Sequence, residues 1–170
     1  GTVFVARKPS RLDFAQAAAL PVAFLTAQFT LNHLAKLRTG DRILIHAAAG
    51  GVGLAAVALA QLVGAEIFAT AGSPEKRALL KSMGVAHVMD SRSLEFSNEV
   101  LRLTDGRGVD VVLNSLADEF VDRSFDAIAV GGRFLEIGKR GIWDEARVTA
   151  LDKKIQYFIV DWSVDAANDP

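Results

Sequence analysis

Residues 47–53 read Ala47-Ala48-Ala49-Gly50-Gly51-Val52-Gly53, between the apolar run Ile43-Leu44-Ile45 and a segment of helical pattern. Small residues at such a junction let backbone N–H groups approach an anion. The helix N-terminus that follows adds unpaired donors and a partial positive charge. The chemistry is pyrophosphate binding, and strand–turn–helix is the context a dinucleotide fingerprint requires. Its three slots have separate duties: a tight turn, a close backbone approach, and packing of the helix on its strand. Read as G-x-G-x-x-G, the slots fall on Ala48, Gly50 and Gly53, with alanine first. Read as G-x-G-x-x-A, they fall on Gly51, Gly53 and Ala56. Spacing alone does not choose between them.

The second strand says which dinucleotide. An acid about 20 residues past the glycines would bond a ribose 2′-hydroxyl. That place reads Thr70-Ala71-Gly72-Ser73-Pro74, without an acid, and Lys76 and Arg77 follow. A hydroxyl and cations welcome a 2′-phosphate that an acid would repel. Ser91 and Arg92 follow the third strand, which lies beside the second in a 3-2-1 order, so they reach the same spot. The expectation is NADPH, with Ser73, Lys76, Ser91 and Arg92 around the phosphate. The competing interpretation, a solvated helix face for Lys76 and Arg77, has Glu75 in its favour.

The elements that must position these residues follow from alternating apolar runs, turns and helical patterns. Strands are expected at 42–46, 66–70, 87–90, 109–114, 133–137 and 155–160, with a further isolated one at 2–6. A helix starting at Pro21, with Val22, Leu25 and Phe29 recurring on one face, is expected to run to Leu37. Gly51 to Val63 is a helix closed by Gly64; Ser73 caps another that Gly84 ends. Val121, Phe125 and Ile128 mark one more helix, ended by Gly131-Gly132. The fold class is α/β: a doubly wound, six-stranded parallel Rossmann sheet in the order 3-2-1-4-5-6.

Bulk properties narrow the function classes. The chain has 170 residues, 51% of them hydrophobic, a formal net charge of −1 and no cysteine. The charge gives no bulk attraction for nucleic acid. Disulfides, thiolate nucleophiles and cysteine-held zinc are excluded, and a cytoplasmic location is expected. His33, His46 and His87 are too scattered for a metal triad, and His46 is expected to be structural. Ser115 lacks the Gly-x-Ser-x-Gly context of a hydrolase. No signal peptide and no stretch able to span a bilayer are expected, the most apolar window, 43–63, being broken by glycines.

Four strings carry a resemblance: residues 46–53, Leu20-Pro21-Val22-Ala23-Phe24-Leu25-Thr26-Ala27, Val111-Val112-Leu113-Asn114-Ser115-Leu116-Ala117, and Gly132-Arg133-Phe134-Leu135-Glu136-Ile137-Gly138-Lys139. Together they resemble the enoyl reductase domains of modular polyketide synthases and of fatty acid synthase, in the quinone-oxidoreductase branch of the medium-chain dehydrogenase/reductases. The resemblance implies reduction by NADPH of an α,β-unsaturated thioester carried on an acyl carrier protein. It implies Lys139 and Asp161 as candidate proton donors, and Thr26, Asn114, Ser115 and Gly138 as cofactor-lining positions. The family often carries an aspartate two residues beyond its lysine; here that place is Gly141. Residues 1–20 would be the end of a GroES-like substrate domain and a connector, and 21–170 the NADP(H)-binding domain. The implied partners are the carrier-bound substrate, other synthase domains in the same polypeptide, and a second copy paired through strand 155–160. A free-standing quinone or enone reductase, and a non-catalytic NADP(H)-binding module, are the alternatives.

Overall fold

The computed structural model describes residues 7–161; the strand expected at 2–6 lies outside them. Two helices open the described chain, α1 (Phe14–Ala19) and α2 (Pro21–Gln28). Asp13 caps α1 reciprocally: its carboxylate accepts from the Gln16 amide at 2.7 Å while Gln16 Oε1 accepts from the Asp13 amide at 3.0 Å. Pro21 starts α2. The helix does not continue unchanged to Leu37 as expected but passes into a π-helical segment, Phe29–Leu34. There the Thr30 hydroxyl donates back to the Thr26 carbonyl at 2.8 Å, and the Ala35 amide reaches Thr30 O at 2.9 Å.

The inner face also differs from the expected one. Val22 and Leu25 are 77% and 60% exposed, whereas Thr26, Ala27, Thr30 and Leu31 are buried. Small residues face inward because the next helix comes close: a Cβ built on Gly51 would lie 4.0 Å from Ala23 Cβ. The helical run Phe14–Leu34 does reach the length and hydropathy of a bilayer span, contrary to expectation. It is a break at Pro21 and a π-turn in sequence, with Thr30 and Leu31 in the protein core.

The remaining elements are β1 (Arg42–Ile45), α3 (Gly51–Val63), β2 (Glu66–Ala71), α4 (Pro74–Ser82), β3 (His87–Asp90), α5 (Phe96–Leu103), β4 (Val109–Asn114), α6 (Glu119–Ala127), β5 (Ile128–Glu136), α7 (Glu145–Thr149) and β6 (Gln156–Ile159). The strands form one parallel sheet in the order β3-β2-β1-β4-β5-β6. Strand alternation sorts β1 between two cores: Ile43 and Ile45 pack with α2 and α3, and Leu44 packs with Phe68, Phe96, Phe125 and Phe134 on the other face. Phe125 stacks between Phe134 and Trp143 at ring distances of 4.1 and 4.2 Å.

Two boundaries differ from the sequence reading. Ile128 begins β5 instead of ending α6, and the register of β5 shifts between its pairing with Val109 and with Val111. The Gly131-Gly132 turn signal therefore falls inside the strand: Gly132 has no room for a Cβ, which would meet Ile128 Cγ1 at 2.5 Å. The five-residue α7 was not expected. Asp144 caps it, accepting from the Arg147 amide at 2.8 Å, and Arg147 lies over the Trp143 ring at 3.7 Å.

Candidate functional site

All six strands run the same way, so their carboxyl ends share one edge, and the order reverses between β1 and β4. Open α/β sheets bind ligands in the crevice at such a switch point. The chain leaves β1 there through Ala47, which takes a left-handed φ of 48°. The Gly50 amide closes the turn onto the Ala47 carbonyl at 2.8 Å, and the buried Ala48 donates its amide to Thr70 O at 2.9 Å. Gly50 then caps α3 in an extended conformation.

The crowding distinguishes the two readings of the glycine motif. A Cβ on Gly53 would lie 2.5 Å from Ala47 O and 2.6 Å from Ala48 Cα, whereas one on Gly51 would make only an ordinary contact. Gly53 is thus the residue whose missing side chain lets α3 pack on its turn, which matches the register Ala48, Gly50, Gly53. Gly50 and Gly51 are exposed at the helix N-terminus, with Val52 half-buried behind them. Thr26 is buried on α2, which packs along α3.

The end of β2 is shaped by its neighbours. A Cβ on Gly72 would lie 3.3 Å from both Ser91 Oγ and Arg92 Nε, so these side chains flank the place where an acid was missing. Asp90, the nearby acid, is held by Arg77 at 3.1 Å. Arg92 is exposed and makes no ion pair among the described residues. Ser73 caps α4 by accepting from the Lys76 amide at 3.3 Å, and its hydroxyl holds the nearby Glu75 carboxyl below its ordinary pKa. Lys76 is solvent-exposed on α4.

His46 sits beneath the turn and serves the structure, as expected. Its Nε2 is 2.8 Å from Ser124 Oγ and its Nδ1 is 3.0 Å from Thr70 Oγ1. The Ser124 hydroxyl donates to Phe120 O at 2.7 Å, so it accepts from Nε2–H, and Thr70 donates to Nδ1. Complete burial pushes this imidazole down from 6.5 to about 3. The other two histidines are apart: His87 contacts Glu66 at 2.9 Å, and His33 stacks on Phe29. Among the described residues no three His, Cys, Asp or Glu side chains gather where a metal could sit.

On the other side of the switch point, Asn114 and Glu136 end β4 and β5 opposite each other in register, both with 0% exposure. Asn114 Nδ2 donates to Glu136 Oε2 at 2.7 Å, and the Gly138 amide donates to Glu136 Oε1 at 2.7 Å. Burial raises the Glu136 carboxyl pKa against the downward pull of these donors and of Lys139. Glu136 was absent from the sequence-derived candidates, although a charged residue closing the apolar run Phe134-Leu135 was a visible signal. Ser115 is exposed beside this network. Lys139 and Asp161 are brought together: Nζ lies 3.9 Å from Asp161 Oδ2 and donates to Val160 O at 3.2 Å. Their side chains remain 65% and 48% exposed.

Comparison with known proteins agrees with this geometry. Residues 51–160, more than half of the chain, match the zinc-binding dehydrogenase family. The described histidines and the lack of cysteine do not fit the zinc of that name. The chain is 46% identical over 164 residues to a phenolphthiocerol/phthiocerol polyketide synthase of Mycobacterium tuberculosis, covering 95% of this chain and 8% of that protein. It superposes on the crystal structure of CurK enoyl reductase with a TM-score of 0.95 at 50% identity, spanning 99% of this chain and 51% of that one. It superposes on the nucleotide-binding subdomain of the enoylreductase domain of PpsC from Mycobacterium tuberculosis with a TM-score of 0.79 at 46% identity, covering 88% and 84%. The chain therefore belongs to the zinc-binding dehydrogenase family and, within it, to the enoyl reductase domains of polyketide synthases, as their nucleotide-binding part.

Proposed function

We propose that this chain is the NADP(H)-binding half of an enoyl reductase that reduces α,β-unsaturated acyl thioesters presented by an acyl carrier protein within a polyketide synthase. The observation that carries the reading is the Gly53-packed turn at the N-terminus of α3, set at the strand-order reversal. Ser91 and Arg92 over Gly72 support NADPH over NADH, with Lys76 as a second cation and Ser73 contributing mainly as a helix cap. Asn114, Ser115 and Gly138 would line the half of the crevice that receives the reacting ring, and Thr26 the wall behind α3.

Bound NADPH would supply hydride to the β-carbon of the substrate. The work left to the chain is to hold the substrate and deliver a proton to the α-carbon. Lys139 and Asp161 suit that role because they project together from the ends of β5 and β6 and are open to an incoming group. Gly141, at the place of the family's further aspartate, adds no acid. The apolar surface made by Phe14, Val22 and Leu25 suits the packing of the substrate-covering domain, which would exclude water.

The parent synthase offers the test. With NADPH carrying deuterium at the transferred position, a carrier-bound enoyl thioester should gain one deuterium at its β-carbon. Turnover of simple quinones with no turnover of the thioester would instead favour a free-standing quinone reductase. Among the described residues β6 is an edge strand, with Ile159 50% exposed, and it suits pairing with a second copy. Sedimentation should then show a dimer that Ile159→Glu dissociates; a monomer at all concentrations rejects the pairing.

A further inference from the structure

We propose that Glu136 is a positioning residue that sets the loops after β4 and β5 against the nicotinamide half of the dinucleotide. The proposal rests on the function given above. The turn at α3 and the Ser91–Arg92 pair occupy the β1–β3 side of the crevice and suit the phosphate-bearing half of the cofactor. The β4–β5 side is left for the other half. Its two loops, 115–117 and 137–139, have no secondary structure of their own to hold them.

Glu136 supplies what they lack. Its Oε2 accepts from Asn114 Nδ2 and its Oε1 from the Gly138 amide, both at 2.7 Å. Asn114 in turn fastens its own loop, donating to Leu116 O at 3.0 Å and accepting from the Leu116 amide at 3.2 Å. These two bonds fix the orientation of the Asn114 amide, because a flip would set its oxygen against both Leu116 O and Glu136 Oε2. Glu136 therefore faces donors on both oxygens. A carboxylate accepts at both; a glutamine accepts at one and presents a donor at the other. Gly138 completes the lock, since a Cβ there would lie 2.6 Å from Glu136 Oε1 and 3.3 Å from Leu116 O.

A buried carboxylate is a costly way to join two strands, and apolar packing would do it more cheaply. The arrangement instead fixes two backbone segments, one of which leads directly into Lys139. Shell interactions of this kind hold functional groups at a defined geometry.

Calorimetric titration of the chain with NADPH and with adenosine 2′,5′-bisphosphate, which lacks the nicotinamide half, tests the assignment. Glu136→Gln faces one donor with another and releases a loop that the bound state must order again, so it should weaken NADPH at least about fivefold. The bisphosphate should bind within about twofold of the parent, because phosphate contacts on the other side are untouched. Without ligand, the Gly138 and Leu116 amides should exchange hydrogen faster in the variant. Glu136→Asp, which keeps a carboxylate but is too short to hold both loops, should give the same signature should Glu136→Gln not fold. Equal weakening of both ligands, or unchanged NADPH affinity with faster exchange, would overturn the proposal. Failure of the unaltered chain to bind either ligand would overturn the proposed function itself.

Discussion

The two sides of the sheet's carboxyl edge are built by opposite means. On the β1–β3 side the surface is shaped by missing side chains: Gly53 admits the Ala47–Ala48 turn, and Gly72 admits Ser91 and Arg92. On the β4–β6 side it is shaped by buried polar groups, Asn114 and Glu136, with Lys139 and Asp161 standing outside them. Anion binding needs backbone access, which small residues provide. Placing a reacting ring and a proton needs side chains and loops held at fixed positions, which hydrogen bonds in the interior provide.

The largest expected effect comes from filling the first kind of site. Gly53→Ala places a methyl group against the backbone of Ala47 and Ala48, atoms that cannot rotate away. It should destabilise the chain by about 1–3 kcal/mol in urea unfolding and abolish NADPH binding. Gly51→Ala meets only Ala23 Cβ at 4.0 Å and should stay within about 1 kcal/mol of the parent. Similar losses for the two variants would mean that the motif register is wrong.

On the opposite side the expectation is a loss of rate without a loss of fold. Lys139→Ala with Asp161→Ala, in the parent reductase, should lower kcat at least about 100-fold while NADPH affinity stays within a few-fold. A water can replace one donor, so the single variants should lose less than the pair. Because the ion pair is exposed and 3.9 Å long, stability should move by less than about 1 kcal/mol. Parental turnover in the double variant, with hydride transfer shown to limit the rate by deuterated cofactor, would leave the pair as a surface salt bridge.

His46 joins the two sides, bonding Thr70 on β2 and Ser124 on α6, and it makes the junction sensitive to acid. Its pKa of about 3 in the folded chain lies below the ordinary 6.5. The unfolded chain therefore binds one more proton between these values. The stability is fully present above pH 6.5 and is lost as pH falls towards 3, by about 1.4 kcal/mol per pH unit. His46→Gln should be less stable at pH 7 but lack this part of the decline between pH 7 and 5. Parallel slopes for variant and parent would show that acid acts elsewhere.

The same contrast explains what could be read in advance. The glycine-rich turn was legible because its residues are adjacent in sequence, and the sheet order followed from apolar runs separated by turns. Glu136 was not, because its meaning depends on Asn114, which lies 22 residues away and meets it only through strand register. Tertiary packing also overrode local pattern in α2. There the expected face of Val22 and Leu25 turned outward because only small residues admit α3 at its observed distance. The spacing of Ile128 from Phe125 suits a helix, yet pairing with Val109 draws it into β5. Ser73 is the helix cap that its place before Pro74 predicts, accepting from the Lys76 amide at 3.3 Å.

The most direct measurement is a fluorescence titration of this chain with NADPH and NADH, repeated for Arg92→Ala. One charge-assisted contact to the 2′-phosphate is worth about 1.5–3 kcal/mol, so NADPH should bind about 10- to 150-fold more tightly than NADH. Removing the Arg92 guanidinium should close most of that gap by weakening NADPH alone. Equal affinities for the two cofactors, or no saturable binding of either, would contradict the account.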